Sequence, residues 1–165
     1  MSALLDSRMF RNTLGQFCTG VAIVTGCNGD DPAGFAAQSF TSLSLDPPLI
    51  AVCPAKTSTS WPKIRSSGRF CINILAADQK IVCDVFAQTG IDKFATFAWK
   101  KGVTGSPRID GVLGYVDCEI DAEHDAGDHT IVVGRVVDAA ILDAQRGPLL
   151  FFRGAYGQFQ PGVAS

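Results

Sequence analysis

A chain of 165 residues is the size of a single domain and is long enough to bury most of a core. Hydrophobic residues make up 47% and charged residues 18%, with a mean hydropathy of +0.20. That is more apolar surface than so short a chain easily hides, so an oligomer with a large apolar interface is expected. The formal net charge is -2 and Lys and Arg gather in no stripe, which removes the electrostatic footprint of nucleic-acid binding.

Residues 1–15 lack the succession of a basic start, an apolar run and a small-residue cleavage site that marks a secretory signal. No run of about 18 apolar residues is present, so no membrane span is predicted and a cytoplasmic protein is expected. Cys18, Cys27, Cys53, Cys71, Cys83 and Cys118 form no C-x-x-C pair, and two histidines do not complete a zinc site. Free, buried thiols and no metal are expected.

Taken in order, the apolar positions Met9, Phe10, Leu14 and Phe17 recur at helical spacing and predict an amphipathic helix over 7–17. Val21, Ile23 and Val24 predict a strand that stops at the turn 28–32. Further strands are predicted at 34–37, 49–53, 70–75, 112–121, 129–142 and 148–152. Two short helices interrupt them, one starting near Ser60 and one over 77–87. Strands that do not alternate regularly with helices predict an antiparallel barrel rather than a doubly wound sheet. No repeat or linker divides the chain, so one domain over 1–165 is expected.

Four runs carry candidate chemistry. In 34–50, a glycine and small alanines let the backbone approach a flat ligand, and Ser39, Thr41, Ser42 and Ser44 add hydroxyls. Pro47-Pro48 then sets an extended entry into the next strand. The same composition suits a plain Ser-rich connection. In 56–62, Lys56 and the hydroxyls of Thr57, Ser58, Thr59 and Ser60 precede a helix start with Pro62 in its first turn. That pattern serves a phosphate or an ordinary N-cap. Gly127-Asp128-His129-Thr130 places an imidazole at a strand mouth, where it is either a catalytic group or a structural hydrogen-bonder. His124, in the acidic stretch 121–125, reads as solvated. Asp92-Lys93-Phe94 precedes Phe97 and Trp99, aromatics that suit a core or the face of a planar ring.

In order and spacing, these runs resemble the flavin reductase-like family over essentially the whole chain. Its members include the short reductase components of two-component flavin-dependent monooxygenases. The resemblance is carried by the Ser-x-Ser-x-x-Pro-Pro element at 42–48, Lys56 with its Ser/Thr cluster, and Arg69-Phe70-Cys71-Ile72-Asn73-Ile74-Leu75. It continues through Asp92-Lys93-Phe94, Gly127-Asp128-His129, Gly147-Pro148-Leu149-Leu150 and Gly154-Ala155-Tyr156-Gly157. The stretch 36–40 is most similar to members that serve phenol and seco-steroid hydroxylation.

The resemblance implies a mainly β fold, an FMN-binding split β-barrel with short accessory helices, working as a homodimer with FMN or FAD near the interface. Ala36, Ala37, Gln38 and Ser39 would line the isoalloxazine ring. Ser42, Lys56, Ser58, Thr59 and Ser60 would hold the ribityl phosphate. Phe94 would pack near the flavin, His129 would meet the nicotinamide of NADH as the catalytic-site histidine, and Tyr156 would border the pocket. Many members carry Thr and Asn where this chain has Ala36 and Gln38, so backbone N–H groups are expected to make those contacts.

No G-x-G-x-x-G fingerprint occurs, so NADH would bind without a Rossmann fold. NADPH is less favoured because no compact Arg cluster offers a 2′-phosphate site. The implied activity is NADH-dependent flavin reduction that supplies a partner monooxygenase. A non-catalytic FMN carrier is the alternative, and Gly127-Asp128-His129 with Tyr156 favours the enzyme. An oxidase of pyridoxamine phosphate type would want more cations than Lys56, Lys63 and Arg65.

Overall fold

The computed structural model describes residues 6–162. It begins with α1 (Ser7–Leu14), where the Asp6 carboxylate accepts the Arg8 N–H at 3.0 Å as an N-cap. The helix stops at Gly15, short of the predicted end at 17, and buries none of its side chains. The strands β1 (Thr19–Gly20), β2 (Ala22–Asn28), β3 (Asp31–Ala37), β4 (Thr41–Leu45) and β5 (Pro48–Val52) follow. Next come α2 (Trp61–Ser67), β6 (Arg69–Ile74), α3 (Lys80–Phe86), β7 (Trp99–Lys101) and β8 (Pro107–Ile109). The chain closes with the long hairpin β9 (Gly114–Ala126) and β10 (His129–Ile141), then β11 (Leu149–Phe152) and β12 (Ala155–Gln158).

Seven strands form one sheet in the order β3-β2-β6-β9-β10-β5-β4, and every pairing in it is antiparallel. The two edges, β3 and β4, are joined by only the three residues 38–40. Four Cα steps reach at most about 14 Å. The sheet therefore has to curl until its edges meet, but β3 and β4 do not pair, so the barrel is closed in shape and split in hydrogen bonding. This is the split β-barrel that the resemblance implies.

The barrel explains which residues are apolar. β2 is buried on both faces, as alternation requires of a strand between two cores. Ala22 and Val24 point into the barrel with Ile50, Val52, Phe70, Ile72 and the plug residues Trp61 and Ile64 of α2. Val21 and Ile23 point outward, where α3 and the small β1-β11-β12 sheet cover them with Val82, Phe86 and Leu149. Pro32 is tolerated in β3 because an edge strand leaves N–H positions unpaired by the sheet.

Three expectations need correction. The Ser-rich run 41–45 is an edge strand, and Asp46-Pro47, a cis peptide, is the turn of its hairpin with β5 rather than an extended entry. The strand predicted at 112–121 runs on to Ala126, because the acidic stretch pairs with 129–133 in an exposed ribbon that needs no apolar side chains. The thiols are free, but only Cys71, Cys83 and Cys118 are buried; Cys27 and Cys53 are half-buried and Cys18 is exposed.

The β7–β8 hairpin is pinned over β9 by buried polar groups. The Asp117 carboxylate accepts the Thr104 N–H at 3.0 Å and the Thr104 hydroxyl at 2.5 Å. Asn73 accepts the Ile109 N–H at 2.8 Å and donates to Thr25 at 2.9 Å. Burial raises the Asp117 carboxyl above its usual range, and the two bonds from Thr104 offset only part of that. A raised carboxyl stabilises the fold below its unfolded value and loses that contribution as pH rises through the folded value. The Tm of Asp117→Asn relative to the parent should therefore rise as pH rises above the unfolded carboxyl value of about 4. Scanning fluorimetry across rising pH checks it, and a relative Tm that falls contradicts it.

Candidate functional site

The seam where the barrel fails to close is a groove of about 690 Å³. One wall is the end of β3 and its link to β4, with Ala36, Ala37, Gln38 and Ser39. The opposite wall is the loop after β5, with Ser58, Thr59 and Ser60. Phe86 and Lys93 form the base, and His129 stands at the mouth.

Each wall is fixed by bonds that also explain its chemistry. The Gly34 carbonyl points away from β2, since it accepts the Ser60 hydroxyl at 2.8 Å and the Lys93 ammonium at 2.9 Å. By the two-residue repeat of a strand, the N–H and C=O of Ala36 face the same free edge. An unpaired strand edge facing a groove is a ready set of donors and acceptors for the rim of a planar heterocycle. A side chain on Gly34 would force its neighbours to shift: a Cβ would stand 2.8 Å from the Phe86 ring and 3.0 Å from the Val24 carbonyl.

The hydroxyl loop divides its labour. Ser58 accepts the Trp61 N–H at 3.1 Å and so caps α2, whereas Ser60, at the nominal cap position, instead donates to Gly34. Thr59 makes neither contact and lines the groove. Ser39 accepts the Cys53 N–H at 2.9 Å, tying the β3–β4 link to the end of β5. The Gln38 side chain is turned aside, its carbonyl oxygen accepting the Thr19 hydroxyl at 3.2 Å. At the mouth, His129 Nδ1 lies 2.8 Å from the Asp128 carboxylate, which leaves Nε2 for a ligand. The histidine bonds hold the Asp128 carboxyl below its usual range.

Eight of the residues singled out from the sequence thus share one groove, and four do not. Ser42 is exposed on β4 opposite Ile50. Lys56 is drawn to Asp125, and its backbone N–H is held by Asp128, so it faces a different cavity with Arg65 and Glu123. Phe94 lies in an adjoining cavity, edge-on to Phe86 at 5.1 Å. Tyr156 packs on Phe151 and bonds the Cys83 thiol at 3.3 Å, on the small sheet; that bond and burial push its hydroxyl up to about 12.

Lys93, one residue before Phe94, is the cation that the groove does contain. Its ammonium donates to Gly34 and, at 3.0 Å, to the carbonyl of Phe86 at the end of α3, where a cation suits the helix dipole. Burial lowers its pKa, and no carboxylate is among its bonded partners. The signal available in the sequence was that Lys93 is the one cation between 81 and 99. Among the described residues no cluster of His, Cys, Asp or Glu could hold a metal ion.

The seam of this split barrel brings together a free strand edge, an aromatic base, hydroxyls and a cation, groups chemically suited to a planar ring carrying a phosphate. Comparison with known proteins identifies the family. The family described as "Flavin reductase like domain" matches residues 14–160, and the chain belongs to it. It is 48% identical over 162 residues to the reductase subunit HsaB of a flavin-dependent monooxygenase from Mycobacterium tuberculosis, covering 98% of this chain and 87% of that one. The crystal structure of nitrilotriacetate monooxygenase component B from Mycobacterium thermoresistibile superposes with a TM-score of 0.93 at 46% identity, covering 98% and 92%. The NADH:FAD oxidoreductase SgcE6 of Streptomyces globisporus, in complex with NAD and FAD fragments, superposes with a TM-score of 0.90 at 34% identity, covering 99% and 100%.

Lys93→Met should leave the Gly34 and Phe86 carbonyls without their shared donor and cost about 1–3 kcal/mol of stability. Gly34→Ala should cost a similar amount, about 1–3 kcal/mol, through overpacking against Phe86. Urea unfolding measures both, and variants as stable as the parent contradict the geometry.

Proposed function

We propose that the chain is an NADH-dependent flavin reductase that works as one domain over 1–165 and passes reduced flavin to a separate monooxygenase. The observation that carries this reading is the groove at the barrel seam, where a free backbone edge, Thr59, Ser60, Lys93 and His129 converge. The names of the relatives support it, since they include a monooxygenase reductase subunit and an NADH:FAD oxidoreductase.

Bound flavin, FMN or FAD, supplies the hydride-accepting ring and NADH supplies the hydride. The protein contributes placement and electrostatics. The residues present fit such a ring: small Ala36 and Ala37 let backbone come close, and N–H groups on the free edge would stabilise negative charge gained on reduction. Ser58, Thr59, Ser60 and Lys93 would hold the phosphate, with Lys93 taking the part expected of Lys56. The Ser39–Cys53 bond would keep the ring-binding link in place. His129, oriented by Asp128, would position the nicotinamide or its ribose–phosphate rather than act as an obligatory acid or base. Phe86 would shield the base of the groove from water.

A homodimer suits the surface. Leu43 and Leu45 on β4 and Ile131, Val137 and Ile141 on β10 are exposed, on strands separated only by β5. No helix among the described residues is long and apolar enough to cross a membrane. A cytoplasmic location accords with that and with the free thiols.

Following absorbance at 340 nm under air tests the activity, with NADH and either FMN or FAD added to the purified chain. Steady NADH loss that depends on flavin is expected, and none would leave the carrier reading in place. His129→Ala should raise the KM for NADH several-fold while leaving flavin affinity intact. An unchanged KM and rate would remove the assigned role.

A further inference from the structure

Glu123 and Asp125 stand two apart on β9, so their side chains share one face of the exposed β9–β10 ribbon. Glu123 accepts the Arg65 Nε–H from α2 at 2.7 Å, and Asp125 pairs with the Lys56 ammonium of the loop after β5. The backbone makes the same junction. The Lys56 N–H donates to the Asp128 carbonyl at 2.9 Å, and the Thr130 N–H donates to the Pro54 carbonyl at 3.0 Å. Between them Ala55 faces His129 in an antiparallel bridge. Part of the acidic stretch 121–125 therefore clamps the ribbon tip to the hydroxyl loop.

The clamp bears on the site because of what each half carries. The tip carries His129 at the mouth of the groove, and the loop carries Ser58, Thr59 and Ser60 on its wall. β10 pairs with β5 only from Val132 onward, and a two-stranded ribbon is marginal in water by itself. Polar ties therefore set where the tip stands. The loop has its own anchors, Ser58 on the Trp61 N–H and Ser60 on the Gly34 carbonyl, so the tip is the freer half. We propose that Lys56 and Asp125 are positioning residues for NADH: their ion pair fixes the His129 imidazole at the groove mouth, and with it the nicotinamide against the flavin. The inference rests on the flavin-reductase reading of the groove. Hydride transfer needs its reacting atoms about 3–3.5 Å apart, and a misplacement of about 1 Å costs up to about a hundredfold in rate. An exposed ion pair such as this contributes little to folding, so its loss is read in turnover rather than in stability.

Steady-state kinetics of the full chain with NADH and FMN, alongside calorimetric titration with FMN, test this. Asp125→Asn should lower kcat/KM for NADH about tenfold, with FMN affinity within about twofold and the urea midpoint nearly unmoved. Exchanging the charges, Lys56→Asp together with Asp125→Lys, should restore most of the loss. In a His129→Ala background Asp125→Asn should do no further harm, because the clamp acts through the imidazole. An unchanged kcat/KM in Asp125→Asn, a loss that the exchange does not restore, or losses that add to that of His129→Ala overturn the proposal. A parallel loss of FMN affinity assigns the ion pair to the loop alone and overturns it too. An unaltered chain that oxidises no NADH in the presence of flavin removes the reading of the groove, and this inference with it.

Discussion

The site depends on how short the chain is between the two edges of its sheet. Three residues, 38–40, join β3 to β4, so the seven-stranded sheet must curl into a barrel, yet its edge strands do not pair. The bonds that would have zipped β3 to β4 are left open along one side. Gly34 spends its carbonyl on Ser60 and Lys93, and Ala36 keeps its own groups at the groove. Edge strands normally carry a risk of unwanted pairing, and here the loop after β5 and the end of α3 cover part of that edge. The uncovered remainder is the groove.

The same constraint organises stability. β2 can be apolar on both faces only because the barrel interior lies on one side and α3 with the small sheet on the other. Phe86 belongs to that outer core and also forms the base of the groove. Lys93 then bridges β3 and the end of α3 through two carbonyls. Core, seam and site share residues, so changes at the groove are expected to register in unfolding as well as in binding.

Much of this was legible in the sequence, and the limits have physical causes. Val21, Ile23 and Val24 announce a buried strand by their apolarity, and Ser58, Thr59 and Ser60 announce a helix start by their hydroxyls. Both signals are local. β4 and β12 were missed because an edge strand and a largely exposed strand owe their pairing to backbone bonds, not to an apolar pattern. Lys56 stands apart from the seam groove because its partner, Asp125, is set by a hairpin about seventy residues further on. Lys93 reaches the site only through the approach of α3 to β3, which no local spacing encodes.

The central claim is that flavin occupies the seam groove, and Cys53 reports on it. This thiol lines the groove and is half-buried, whereas Cys18 is exposed and outside it. Alkylation followed by peptide mass spectrometry, with and without saturating FMN, reads the two in one experiment. The account predicts that FMN slows modification of Cys53 at least several-fold and leaves Cys18 unchanged. Equal rates at Cys53 with and without bound FMN would contradict it.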